Sequence, residues 1–218
     1  MAIITIFSAT FCQAEKVTAG VAETLGWTDI SERDVTETAQ KFNISAAKLT
    51  RSAFGPPSPF NKFTHDKEKS IARLRLALAR LILPDNVVYH GFGTHLLLSS
   101  LTSTLKVCIV AGKASRIVRA GDETGLPASK AAKIIQNDDQ ERAEWTRDLF
   151  NKGPWDKDLY DLVLPMDRMT PAEAVTAIVE NARNPALTAS EKTGQAVRDN
   201  LLAAEVNLAL AEQGHDVH

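Results

Sequence analysis

The chain has 218 residues, with 25 Lys and Arg against 27 Asp and Glu, a formal net charge of −2, and 44% hydrophobic side chains. That size allows one sizeable core, and the charge balance excludes the broad basic field of a nucleic-acid-binding protein. Two cysteines suit a reduced compartment; with no basic leader and no apolar run of membrane-spanning length, the expectation is a cytoplasmic protein with no membrane partner.

The chain opens with AIITIF, a β-branched run of buried-strand type, and passes into an amphipathic segment from Ala14. Val17, Val21, Ala22 and Leu25 recur there at helical spacing, and Gly26 closes the helix. Strand, tight connection and helix form the opening unit of nucleotide-binding α/β folds, in which the helix N-terminus presents unpaired N–H groups to phosphate. The chemistry of the connection differs from a phosphate cradle. Glycines and a Lys are expected there, whereas Phe11, Cys12, Gln13 and Ala14 occupy the loop.

From Ser31 to Phe42 a Ser cap precedes Val35, Ala39 and Phe42 on one helical face, and a second short helix is expected from Ser45. AFGPPSPFNKF, rich in Pro and Gly, reads as an irregular connection. A long helix is expected from Thr64 to Leu83, with Ile71, Leu74, Leu78, Leu81 and Ile82 inward and Lys67, Lys69, Arg73, Arg75 and Arg80 on a solvated face. NVVYH is the second strand expected and ends at Gly91, Phe92 and Gly93; LKVCIV is the third and DLVLP the fourth. Lys113 to Phe150 reads as helical with a break at GLPAS, where Pro127 starts a fresh helix, and Thr170, Pro171 and Glu173 announce another. Strands alternating with helices give an α/β domain with a parallel sheet flanked by helices over residues 1–184. Residues 185–218 form a C-terminal helical extension, with Val197, Leu201, Leu202, Val206, Leu208 and Leu210 on its apolar side.

Taken in order, AIITIF, AETLGW, VVYHGFGTH, KVCIV with Arg116 and Arg119, DQERAEW and DLYDLVL resemble the cytidylate kinase-like family, within the P-loop nucleoside monophosphate kinases, over roughly residues 1 to 182. The resemblance implies ATP, Mg²⁺ and a nucleoside monophosphate such as CMP as the ligands of an active member. It also implies an Arg and a Gly-Ser-Gly-Gly loop at the donor phosphates, where this chain has Ser8 and then Phe11, Cys12, Gln13 and Ala14. The Gly-Arg-Gly turn implied for acceptor phosphate is here Gly91, Phe92 and Gly93. What persists is a lid-like set, Arg116 and Arg119, then Asp139, Arg142 and Arg147 around Trp145, with such arginines closing on polyphosphate in the family. The run AVRDNLLAAEVNLALAEQ is similar to the opening helix of a BON domain.

Other readings of the same residues stand beside these. Arg116 and Arg119 at i, i+3, and Arg142 near Asp139 and Glu141, also suit helix-surface ion pairs. Lys16 lies two positions past the slot of a P-loop Lys and is a candidate phosphate contact. Cys12 beside a helix N-terminus is a candidate low-pKa thiol switch. His90 and His95 read as ordinary loop or core histidines, and His215, Asp216 and His218 lack partners at metal-binding spacing, so no metal is expected. Two functions follow. The first is a catalytically inactive relative that binds a nucleotide or anion, or regulates, with no cofactor, and that forms a homodimer through the C-terminal helix. The alternative is a working phosphotransferase in which Lys16 and the arginines compensate for the loop.

Overall fold

In the computed structural model, residues 3–45, 47–49, 64–84, 86–91, 101, 104–184 and 191–215 are described. The described strands form one parallel sheet of five, in the order β2-β3-β1-β4-β5. These are β1 (Ile3–Ser8), β2 (Thr28–Ser31), β3 (Val87–His90), β4 (Thr104–Val110) and β5 (Leu162–Pro165). Between and after them run α1 (Ala14–Leu25), α2 (Glu32–Gln40), α3 (Asp66–Leu81), α4 (Lys113–Thr124), α5 (Ala128–Phe150), α6 (Pro171–Ala182) and α7 (Glu191–Glu212).

The period of two along β1 sends successive side chains to opposite faces of the sheet. Ile3 joins Val87, Tyr89, Leu74 and Leu78 on the face covered by α2 and α3. Ile4 and Ile6 join Val17, Val21, Val107, Ile109 and Ile178 on the face covered by α1 and α6. Burying each of these aliphatic side chains contributes roughly 1.5–3 kcal/mol, and β1 is buried at every position because helices cover both faces. Gly20 permits the close approach of α1 to α6, since a Cβ there would stand 2.8 Å from Val175 Cγ2.

Helix ends follow the chemistry read in the sequence. Gly26 closes α1 in the left-handed conformation at φ 68°. Thr170 and Glu173 form a reciprocal capping box at α6. Ser31 and Asp34 form another at α2, the Asp34 carboxylate accepting from the Ser31 backbone N–H at 2.8 Å.

Strand β2 is a correction, since the sequence reading placed four strands. Of TDIS only Ile30 is buried, so this edge strand lacks the apolar run that marked the others. Helix α3 departs in a different way. Lys67 is 8% exposed and pairs with Asp148 at 3.3 Å, instead of standing on a solvated basic face. The cause of burial on α3's second side is α7, which folds back along it. Ala72, Leu76 and Ala79 pack with Ala204, Leu208 and Ala211, while Val197 enters the main core. Arg73–Glu212 and Arg80–Glu205 pair across the same contact at 3.3 and 3.4 Å. The tail is therefore seated on its own chain. Among the described residues no helix is long and apolar enough to cross a membrane.

The connection at 53–63, Phe92, Gly93, His95 and the break at Pro185 lie outside the described residues, as do Asp216 and His218. Of the short helix expected from Ser45, residues 47–49 are helical.

Candidate functional site

Parallel α/β sheets place ligand crevices at the carboxyl ends of their strands. Here a cleft of about 800 Å³ opens beyond β1 and β3, under the start of α1. Phe11, Cys12, Gln13, Ala14 and Lys16 all line it, together with Gly91 and Arg142. The loop keeps the backbone shape that glycines would take. Phe11 has φ 60° and Gln13 φ 58°, a region where a side chain costs about 1 kcal/mol or more. Gln13 stands at the N-cap of α1 without a side-chain capping bond, while Glu15 supplies a carboxylate in the first turn.

The arginines are held by this chain's own carboxylates. Arg116 is 4% exposed and grips Asp139 with two bonds of 2.8 Å, while its Nε donates to the Thr10 carbonyl at 2.8 Å. Arg142 bonds Asp138 at 2.7 and 3.2 Å and lies over the Phe7 ring, 5.5 Å from its centroid. The Thr10 hydroxyl donates to the same Asp138 carboxylate. Burial works to raise the Asp138 pKa, but the bonds and charge of Arg142, with Thr10 and Arg116, hold it below the usual carboxylate value. The first loop is thus pinned to α4 by Arg116 and to α5 by Asp138, with Asp139 holding Arg116 in place. Asp138 escaped the sequence reading, although its i, i+4 spacing to Arg142 was a usable signal.

The remaining residues singled out in the sequence divide. Arg119 donates to the Met166 carbonyl at 2.5 Å and does not line the cleft. Arg147 is exposed on α5, also away from the cleft lining. Cys12 is 1% exposed, and burial pushes its thiol up to about 11, so the low-pKa switch is corrected: desolvation outweighs the nearby Arg116 and Arg119 charges. Burial likewise lifts Cys108 to about 12. His90 reaches the Ser8 hydroxyl at 3.1 Å, and burial lowers its pKa, keeping the ring neutral at pH 7.

Four carboxylates, Glu15, Asp29, Glu32 and Glu123, line the cleft against three cations, Lys16, Arg33 and Arg142. Two of those cations are already paired, Arg33 with Glu37 at 2.7 Å and Arg142 with Asp138. Burial and the Asp34 charge raise the Asp29 pKa. This donor set does not fit ATP and Mg²⁺: the loop has side chains where phosphate needs close backbone approach, and among the described residues carboxylates outnumber cations around the cleft. Among the described residues no group of three or more His, Cys, Asp or Glu side chains is arranged to hold a metal.

Known proteins agree with this architecture. No curated protein matches the chain. An uncharacterized protein from Eubacterium ventriosum superposes with a TM-score of 0.65 at 14% identity, covering 84% of this chain and 99% of that one. The shikimate kinase from Bacteroides thetaiotaomicron superposes with a TM-score of 0.50 at 11% identity, covering 83% and 97%. At such identities the likeness speaks to the fold. The family model for the cytidylate kinase-like family matches residues 3–168, well over half of the 218, and the chain belongs to that family.

Proposed function

We propose that this member of the cytidylate kinase-like family has lost phosphoryl transfer and keeps the cleft as a ligand-binding or regulatory site. The observation that carries the reading is the commitment of Arg116 and Arg142 to Asp139 and Asp138. Phosphoryl transfer depends on positioning and on uncompensated positive charge around the transferring group. Each of these arginines has a carboxylate partner on α5 instead, and the loop N-terminal to α1 carries Phe and Gln side chains where backbone alone should meet phosphate. The purified chain with ATP, Mg²⁺ and CMP, or another nucleoside monophosphate, is expected to show no product above background. A turnover of even about 1 per second would overturn the reading. Glycine at positions 11, 13 and 14 is expected not to restore activity, because the arginines stay bound.

One observation favours the alternative, an active ATP-dependent kinase of nucleoside monophosphates. Lys16 lines the cleft with no ion pair among the described residues, beside the uncapped start of α1. If that reading holds, Lys16→Ala abolishes a measurable turnover. If the first holds, there is no turnover to abolish.

A further inference from the structure

Helix α7 is apolar on two opposite sides. At 3.6 residues per turn, the side formed by Val197, Leu201, Ala204, Leu208 and Ala211 meets α3 and the core. The opposite side points outward with Leu202 at 62%, Val206 at 49% and Leu210 at 38% exposure. Elsewhere among the described residues the large exposed hydrophobics are scattered over separate elements, such as Val118 on α4 and Ile134 on α5. On α7 three stand in one row, each a turn apart, which is the pattern of a contact surface.

The order of residues in that row says what fits it. About Val206 the outward side reads the same in both directions: Ala at positions 203 and 209, then Leu at 202 and 210. A two-fold axis through Val206, perpendicular to the helix, therefore brings Leu202 of one copy onto Leu210 of the other, and Ala203 onto Ala209. Further out it sets Asp199 opposite Gln213, an acceptor facing an amide donor. The two Glu205 side chains flank the axis on one side, and each is held by Arg80 of its own chain. Exposed alanines flanking the row let two helix axes approach closely. An isologous interface uses the same patch on both copies, residue i of one meeting j of the other and j meeting i, and a row that reads alike in both directions suits that arrangement. The net charge of −2 offers little repulsion between copies.

We infer that α7 pairs with α7 of a second copy, antiparallel, with the two-fold axis at Val206. The contact is one helix deep, so association is weak and depends on concentration.

Sedimentation of the full chain over a range of concentrations, with cysteine cross-linking under mild oxidation, tests this. The average mass is expected to rise from one chain towards two, and Leu202→Glu to abolish the rise while the circular dichroism spectrum is retained. Val206→Cys, on the axis, is expected to form a disulfide dimer at least tenfold faster than Val118→Cys, an exposed control. Leu202→Cys mixed with Leu210→Cys is expected to cross-link, and Leu202→Cys alone is not. A single-chain mass at every concentration overturns the inference. So does Val206→Cys reacting no faster than the control, or Leu202→Cys pairing with itself, which would mean a parallel arrangement.

Discussion

The first loop and the C-terminal helix are both clamped to neighbouring elements, but by opposite physics. The loop at residues 9–14 is held by charge: Thr10, Arg116, Asp138, Asp139 and Arg142 interlock in a half-buried site. Helix α7 is held by small apolar side chains, and its ion pairs to α3 stand at the rim, with both partners of Arg80–Glu205 about half exposed. A buried ion pair becomes costly when broken, whereas a rim pair returns to water with little loss. The two clamps are therefore expected to separate in mutants.

The largest effect is expected for Arg116→Ala, which strands Asp139 and the Thr10 carbonyl. A loss of about 3 kcal/mol in urea unfolding is expected, at the low end for a broken buried pair because the Asp139 side chain keeps 32% exposure. The same clamp sets an acid sensitivity. The folded-state pKa of Asp138 is depressed, so its contribution is fully present above the unfolded value near 4 and is lost as pH falls through the lower folded value. Asp138→Asn should therefore flatten the stability profile below about pH 5 relative to wild type.

At the other clamp, Leu208→Ala removes one of the two buried leucines of the α3–α7 contact, and about 2–3 kcal/mol of destabilisation is expected in the same measurement. A similar loss in wild-type stability should follow truncation before α7, if the helix serves its own chain as packed. Back at the loop, Gln13→Gly relieves a positive φ and is expected to stabilise by about 1 kcal/mol, read as a rise in melting temperature. Smallest is Arg80→Ala, at a rim pair, where a change below about 0.5 kcal/mol is expected. An Arg80→Ala cost as large as that of Arg116→Ala would erase the distinction between the two clamps.

Much of the architecture was legible along the chain, because local patterns are enough to produce it. The β-branched runs at β1, β3 and β4 and the 3.6-residue period of α1 and α6 are statements about neighbours in sequence. So are the stop at Gly26, the fresh start at Pro127 and the cap at Thr170. That Phe11, Cys12, Gln13 and Ala14 fill the connection between β1 and α1 could likewise be read without coordinates. Strand β2 could not, since its pairing energy lies in backbone bonds to β3 that polar Thr28 and Asp29 make as well as valines would.

What the sequence by itself determined was the order of the elements other than β2, the family and the residues of the first loop. Only the tertiary structure decided where the charges go. Arg116 meets Asp139 across 23 positions and Thr10 across 106, and no local period encodes such partners. It also decided that α7 lies on α3 and that Lys67 is buried. Burial, too, is set by distant segments, and it turned Cys12 from a candidate thiolate into a protonated core thiol: the cost of desolvating a charge depends on everything packed around it, which the residue's own sequence neighbours do not specify.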